Sequence, residues 1–162
     1  MTGWDNFYRS FGLALLCWQH IENALFRVYF SVTGGSLLSA QVAFYSSDQF
    51  GAKLRLVHNA ARVQLQGSDA AQWQALKADI EAAVKQRNAL AHLGTVPYFT
   101  DDQEMHLALA PSMFVPGAMV RKRERIDTAR CEEIGAEFRR LGRELVLFAM
   151  RPQIEPDGKT EN

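Results

Sequence analysis

The sequence lacks the features that mark membrane and exported proteins. Its longest uninterrupted apolar run, from Phe11 to Trp18, is far shorter than the roughly 20 residues that a membrane-spanning helix needs. The first residues carry no basic segment leading into a hydrophobic core and no small-residue cleavage site, so they indicate no export signal. We therefore expect a cytoplasmic protein without a membrane segment.

Cysteine is scarce, at two residues in 162. Cys17 and Cys131 fall in separate helical patterns without CxxC or Cys/His spacing, which favours two reduced thiols over a disulfide or a zinc site. The sequence also lacks a P-loop, a GxSxG motif and an HExxH motif. We expect neither a metal ion nor another cofactor.

An excess of charge of one sign is missing as well, because 18 Lys and Arg residues balance 18 Asp and Glu residues. A chain of zero net charge does not present the basic field typical of a general nucleic-acid binder, so any RNA contact has to be local. The candidates for such a contact form the densest basic run: Arg121, Lys122, Arg123 and Arg125. The run is either a solvated face or a phosphate-contacting patch.

What the sequence does contain is apolar residues at helical spacing, which predict an all-α fold. The predicted helices cover about residues 4–32, 36–65 with a break near 46–48, 68–93 and 127–150. We predict a four-helix up-and-down bundle with a hairpin-like or irregular insertion at 95–126, between helices 3 and 4. One domain would span residues 1–151, followed by a polar, disordered tail at 152–162.

The best functional lead ends the third helix, where Arg87-Asn88 is followed by His92. A guanidinium and an imidazole can together bind a phosphate and move a proton, which RNA cleavage requires. The apolar stripe of this helix is predicted to comprise Trp73, Leu76, Ile80, Val84 and Ala91, with Arg87 in its middle. A buried guanidinium needs a carboxylate, a wet cavity or a subunit interface.

Glu22 is the acidic residue in the centre of the apolar stripe of the first helix. We expect it to approach Arg87, directly or through water, either as a structural ion pair or as support for a site. His92 lies about 140° round the helix from Arg87 and points away from the core. It is either a terminal residue favoured by the helix dipole or part of a site that a second copy completes.

The Arg-Asn-x-x-Ala-His pattern at the end of the third helix, with Gly soon after, resembles the Arg-x4-6-His motif of the HEPN superfamily of ribonucleases and toxins. The first helix, with Trp18, Ile21-Glu22 and Leu25, is similar to the opening helix of such domains. The resemblance extends over about Trp4 to Met150 in helix order.

The resemblance implies a metal-independent endoribonuclease with a composite site on a homodimer interface. His92 would act as general base on a ribose 2′-OH, Arg87 would neutralise charge on the phosphoryl oxygens, and Asn88 would orient His92 or the phosphate. Glu22 would hold Arg87 in place. Members often act as toxins or in phage defence, which implies a cognate antitoxin or nucleotidyltransferase-type partner.

Two other functions compete with this interpretation. The first is a non-catalytic interaction or nucleotide-sensing module of the same superfamily. The second is a small-molecule-binding bundle, suggested by ten Phe, four Tyr and three Trp residues, although aromatic residues at helical spacing more often form a core. His106, in the strand-like stretch, would line the site if that stretch folds over the third helix.

Overall fold

A computed structural model describes residues 3–101, 103–111 and 125–151. Helices make up 76% of these residues, and the one sheet among them has two strands. The described helices are α1 (Gly3–Thr33), α2 (Leu37–Tyr45), α3 (Phe50–Gln64), α4 (Gly67–His92) and α5 (Thr128–Ala149), and strands β1 (Gly94–Phe99) and β2 (Met105–Ala110) lie between α4 and α5 in the chain. The prediction of a mainly helical chain is confirmed. None of the described helices is long and apolar enough to cross a membrane.

Local chemistry sets the helix boundaries that the sequence predicted. Gly34 adopts a φ of 60°, the left-handed conformation that ends helices, and its N–H donates to the carbonyl of Phe30 at 3.1 Å. The hydroxyl of Ser36 accepts a hydrogen bond from the N–H of Ser39 at 3.1 Å and so caps α2. The second predicted helix is broken as expected, into α2 and α3.

The described part of the insertion before α5 contains an antiparallel hairpin. Its strands pair in register from Gly94 opposite Ala110 to Phe99 opposite Met105. Gln103 takes a φ of 64° in the turn, and its N–H donates to the carbonyl of Thr100 at 2.9 Å. The first part of the insertion is therefore a hairpin, one of the two expected forms, while residues 112–124 lie outside the described residues. The predicted tail at 152–162 lies outside the described residues.

The chain divides into two compact units. Unit 1 comprises Met1–Gln19 and Glu81–Arg140, and unit 2 comprises His20–Ile80 and Leu141–Asn162. Helices α1, α4 and α5 each contribute residues to both units. A single domain over residues 1–151 stays a prediction.

In unit 1, α1 and α5 run in the same direction. Three contacts along the helices show this. Ser10 donates a hydrogen bond of 3.0 Å to Glu132. A Cβ added to Gly135 would lie 3.4 Å from the Cα of Ala14, and the rings of Trp18 and Phe138 meet edge to face at 5.4 Å. Residue numbers rise together along both helices, so the helices are parallel. This differs from an up-and-down bundle of four, whose first and last helices run antiparallel.

The core of unit 1 is built from one face of each helix and from β2. Its fully or nearly fully buried side chains are Phe7, Ala14, Trp18, Leu90, Leu107, Leu109, Cys131, Ile134 and Phe138. The N-terminus of α5 is capped by Asp127, whose Oδ1 accepts from the N–H of Arg130 at 2.9 Å. Asp127 is therefore the N-cap of α5.

The core of unit 2 is apolar and rich in aromatic rings. Its fully or nearly fully buried side chains are Ile21, Leu25, Val28, Phe44, Val57, Trp73, Ile80, Leu145 and Phe148. Phe44 meets Phe26 edge to face at 5.4 Å, which fastens the short helix α2 to α1. Aromatic residues at helical spacing are here core residues.

Candidate functional site

The last turns of α4 carry the Arg87-Asn88-His92 motif, and all three residues belong to unit 1. Arg87 is half-buried, whereas Asn88 and His92 are exposed. His92 is the final residue of α4, where the helix dipole favours a cationic side chain. The prediction that His92 faces away from its own core is therefore confirmed.

The buried face of α4 differs at two places from the predicted stripe. Ala91 is exposed and Leu90 is buried instead, while Ala83 is more buried than Val84. The buried residues follow alternating steps of three and four, which carry the stripe through Ala83, Arg87 and Leu90. Arg87 thus keeps its predicted place within the apolar stripe.

An aromatic ring and an amide hold the Arg87 guanidinium. Its Cζ lies 5.9 Å from the centroid of the Trp18 ring, and Nη1 donates to Oδ1 of Asn88 at 3.2 Å. Trp18 is itself only 4% exposed and packs against Phe138. A guanidinium over an indole face gains about 0.5–1 kcal/mol when exposed and more when desolvated. The motif's arginine is therefore anchored at its planar face.

The expected pairing of Glu22 with Arg87 is wrong. Oε1 of Glu22 lies 2.5 Å from Nζ of Lys53, a residue that is 7% exposed and belongs to unit 2 like Glu22. Arg87 needs no buried carboxylate because it is half-exposed and rests on Trp18. Glu22 therefore pairs with Lys53 within unit 2.

Sequence reasoning missed Lys53, although a signal was present. Lys53 lies three residues after Phe50 and four before Val57, on the same face of α3. A lysine on an apolar face needs a buried partner just as a glutamate does. The two anomalies, Glu22 and Lys53, satisfy each other.

A polar network joins the end of α4 to α5 beside the motif. Nε2 of Gln86 donates to Oε2 of Glu137 at 2.6 Å, and Oε1 of Glu137 lies 3.7 Å from Nη1 of Arg130. Arg130 also binds Glu133 at 2.8 Å. Among the described residues, Oε1 of Gln86 is the one buried side-chain oxygen or nitrogen without a hydrogen-bond partner. Sequence reasoning identified none of these contacts.

Of the basic run, only Arg125 is described, since Arg121, Lys122 and Arg123 lie outside the described residues. Cζ of Arg125 lies 5.2 Å from the ring centroid of Tyr98, and that ring lies 5.6 Å from the ring of His106 across the hairpin. Burial raises the pKa of Tyr98, Asp127 raises it further and Arg125 opposes the change. His106 thus contacts Tyr98, and no contact with the motif is found among the described residues.

Comparison with known proteins adds no relative. No family model, curated protein or solved structure matches the chain. The functional argument therefore depends on the motif and its geometry.

The described residues also offer no ready metal centre. Within residues 3–101, 103–111 and 125–151, no three His, Cys, Asp or Glu side chains are grouped so that they could hold a metal ion. Cys17 and Cys131 are both buried and free. Burial, then Asp127 and then Glu132 raise the pKa of Cys131 to about 11, so this thiol is neutral near pH 7 and a poor nucleophile.

Proposed function

We propose that the chain is a metal-independent endoribonuclease of the HEPN type, acting as a toxin or in phage defence. The observation that carries the proposal is the arrangement at the end of α4. An arginine anchored on Trp18 and hydrogen-bonded to Asn88 is followed by an exposed histidine in the last turn. Such a pair provides a fixed phosphate-binding group and an imidazole that can act as general base or general acid.

The proposed reaction is an intramolecular transesterification. His92 takes the proton of a ribose 2′-OH, the 2′-oxygen forms a bond to the adjacent phosphorus, and the bond from phosphorus to the 5′-oxygen breaks. The leaving 5′-oxygen takes up a proton from the imidazolium of the second copy's His92. The products are a 2′,3′-cyclic phosphate end and a 5′-hydroxyl end. Arg87 stabilises the charge that develops on the phosphoryl oxygens.

Helix geometry supports a composite site on a homodimer interface. His92 lies about 140° round α4 from Arg87 and about 7.5 Å further along the helix axis. One chain therefore does not readily bring both groups onto the same phosphate. Two copies of α4 facing each other would supply an arginine and a histidine from each side.

The structure suggests a narrower role for Asn88 than the sequence did. Its Oδ1 accepts a hydrogen bond from Arg87 at 3.2 Å, so its side chain positions the guanidinium. In this proposal the amide N–H groups of Asn88 remain available to the phosphate. Arg125 contributes a positive charge on the hairpin.

The proposal carries further expectations. The main helices α1, α3, α4 and α5 would form a four-helix bundle of the HEPN type, and the protein would act on cytoplasmic RNA. A cognate antitoxin, or a nucleotidyltransferase-type protein, would be its natural partner. Each of these expectations rests on the resemblance of the Arg87 to His92 motif.

The test is cleavage of RNA in EDTA by the wild type, Arg87→Ala and His92→Ala. We expect each variant to lose at least about a hundredfold in rate and the wild-type product to end in a 2′,3′-cyclic phosphate. Matched controls are Arg62→Ala and His20→Ala, which replace exposed residues outside the motif. Equal cleavage by all five proteins would refute the proposal.

Dimerisation is tested by sedimentation of the same proteins. We expect the wild type to sediment as a dimer and its specific activity to fall on dilution below the dissociation constant. A monomer that cleaves RNA at a rate strictly proportional to its concentration would contradict the composite site.

The alternative, a non-catalytic interaction or nucleotide-sensing module, is favoured by the contacts of Arg87 with Trp18 and Asn88, which occupy part of its binding capacity. It predicts a dimer that binds RNA or nucleotides without cleaving them. The same assay therefore decides between the two functions.

A further inference from the structure

A second feature of unit 1 is a groove between the first halves of α1 and α5, with a cavity volume of about 340 Å³. Ala14 and Gly135 line it, and a Cβ added to Gly135 would lie 3.4 Å from the Cα of Ala14. Ala136, also on the groove wall, adds little bulk. The small side chains at this level explain why space is left between the helices. The volume lies in the range of small-ligand sites, about 300–1,000 Å³.

Two guanidinium groups line this groove. Arg9 comes from α1 and Arg139 from α5, and both are exposed. Neither forms an ion pair or a hydrogen bond with any residue in the described ranges. Nearby Arg130, by contrast, is bound to Glu133 and Glu137. Two unpaired cations in one groove repel each other unless an anion lies between them.

The remaining polar groups of the groove define what else a ligand would meet. Ser10, which is 7% exposed, donates to Oε1 of Glu132 at 3.0 Å. The amide of Asn6 adds hydrogen-bond donors. Two guanidinium groups and one carboxylate leave the groove with a net positive charge. A carboxylate beside an anion site accepts hydrogen bonds, so it suits a ligand that carries hydroxyl or amino groups as well as a phosphate.

We propose that this groove binds a phosphate-bearing ligand of nucleotide size, with the phosphate held between Arg9 and Arg139. Guanidinium forks match the geometry of phosphate oxygens. Asn6 donates to the phosphate or the sugar, and Glu132 accepts from a ribose hydroxyl or a base amino group. The phosphate comes either from a free mononucleotide or from one nucleotide of an RNA strand. Arg87 and His92 do not line the groove, so its occupancy does not depend on cleavage at the motif.

The test is calorimetric titration of the full chain with AMP, inorganic phosphate and a 2′-O-methylated RNA hexamer, which resists 2′-OH attack. We expect AMP to bind more tightly than inorganic phosphate because Glu132 adds a hydrogen-bond acceptor. Arg9→Gln and Arg139→Gln should each weaken binding about tenfold. Ala136→Trp should abolish it by filling the groove. Binding of AMP would identify a free nucleotide as the source, and binding of the hexamer alone would identify a strand.

Charge-matched controls are Arg27→Gln and Arg55→Gln, which remove exposed arginines of α1 and α3 in unit 2. They should bind as the wild type does. Thermal midpoints close to that of the wild type show that the groove variants are folded. The proposal is overturned if no probe binds, if Arg9→Gln and Arg139→Gln bind like the wild type, or if the controls weaken binding equally.

Discussion

Nζ of Lys53 lies 2.5 Å from Oε1 of Glu22, and the rings of Phe44 and Tyr45 stand 5.6 and 5.0 Å from the same ammonium. Residues of α1, α2 and α3 therefore meet at one buried cation. Replacing Lys53 with Met or Glu22 with Gln should each lower the free energy of unfolding by about 3 kcal/mol, because the remaining polar group loses its partner. Urea denaturation measures both losses.

The double variant tells whether the two residues act as a pair. Lys53→Met combined with Glu22→Gln should lose clearly less stability than the sum of the single losses, because no buried charge is then left without a partner. Strictly additive losses would show that the contact contributes nothing by itself.

Arg87→Lys separates the charge at the motif from the shape of the guanidinium. Lysine keeps the positive charge but loses the planar guanidinium, which lies over the Trp18 ring, and the forked donors that match a phosphate. We expect RNA cleavage to slow about a hundredfold, while the free energy of unfolding falls by only about 0.5–1 kcal/mol. Arg62→Lys, on the exposed face of α3, is the control. Full activity of Arg87→Lys would remove the geometric argument for arginine.

Much of the fold could be predicted because local signals determine it. Gly34, Ser36 and Asp127 mark helix ends through their own backbone or side-chain chemistry, and a polar stretch between apolar runs marks the hairpin. The partner of Glu22 could not be read in the same way. Arg87 and Lys53 are both cationic residues on apolar helix faces, so either could pair with Glu22. Only the packing of the helices decides which of the two lies beside it.

The choice between Leu90 and Ala91 failed for a related reason. Both residues follow Arg87 at spacings that a helix allows, and the larger side chain gains more from burial. The groove of unit 1 could not be predicted from the sequence either, because it depends on the parallel course of α1 and α5. The spacing of apolar residues shows which face of a helix is buried, but it does not show whether two helices run parallel or antiparallel.

Two glycines in long helices should respond oppositely to substitution. A Cβ at Gly12 of α1 would meet no atom within 4 Å, so Gly12→Ala should raise the free energy of unfolding by about 0.5–1 kcal/mol through better helix propensity. A Cβ at Gly135 of α5 would lie 3.4 Å from Ala14, so Gly135→Val should destabilise by about 1–3 kcal/mol. Thermal unfolding of both variants measures the shifts, and a stabilising Gly135→Val would refute the close contact.

Cys131 should make the free energy of unfolding depend on pH in the alkaline range. Its pKa is raised to about 11 from an ordinary value of 9.0, mainly by burial. The folded state therefore holds the proton more tightly than the unfolded state, and the resulting stability is complete below pH 9 and is lost as the pH rises towards 11. Between about pH 8 and about pH 10.5, the wild type should lose more free energy of unfolding than Cys131→Ala does. Equal losses would show that the thiol titrates normally.

The hydrogen bond between Ser10 and Glu132 spans 122 positions in the sequence, and this has a consequence for synthesis. At ribosomal rates of about 5–20 residues per second, α1 emerges on the order of ten seconds before the helix that covers it. During that interval Ala14 and Trp18 lack their partners on α5, which are Gly135 and Phe138. Nascent chains therefore cannot complete unit 1 until α5 has left the ribosome, and the face of α1 that α5 covers stays exposed until then.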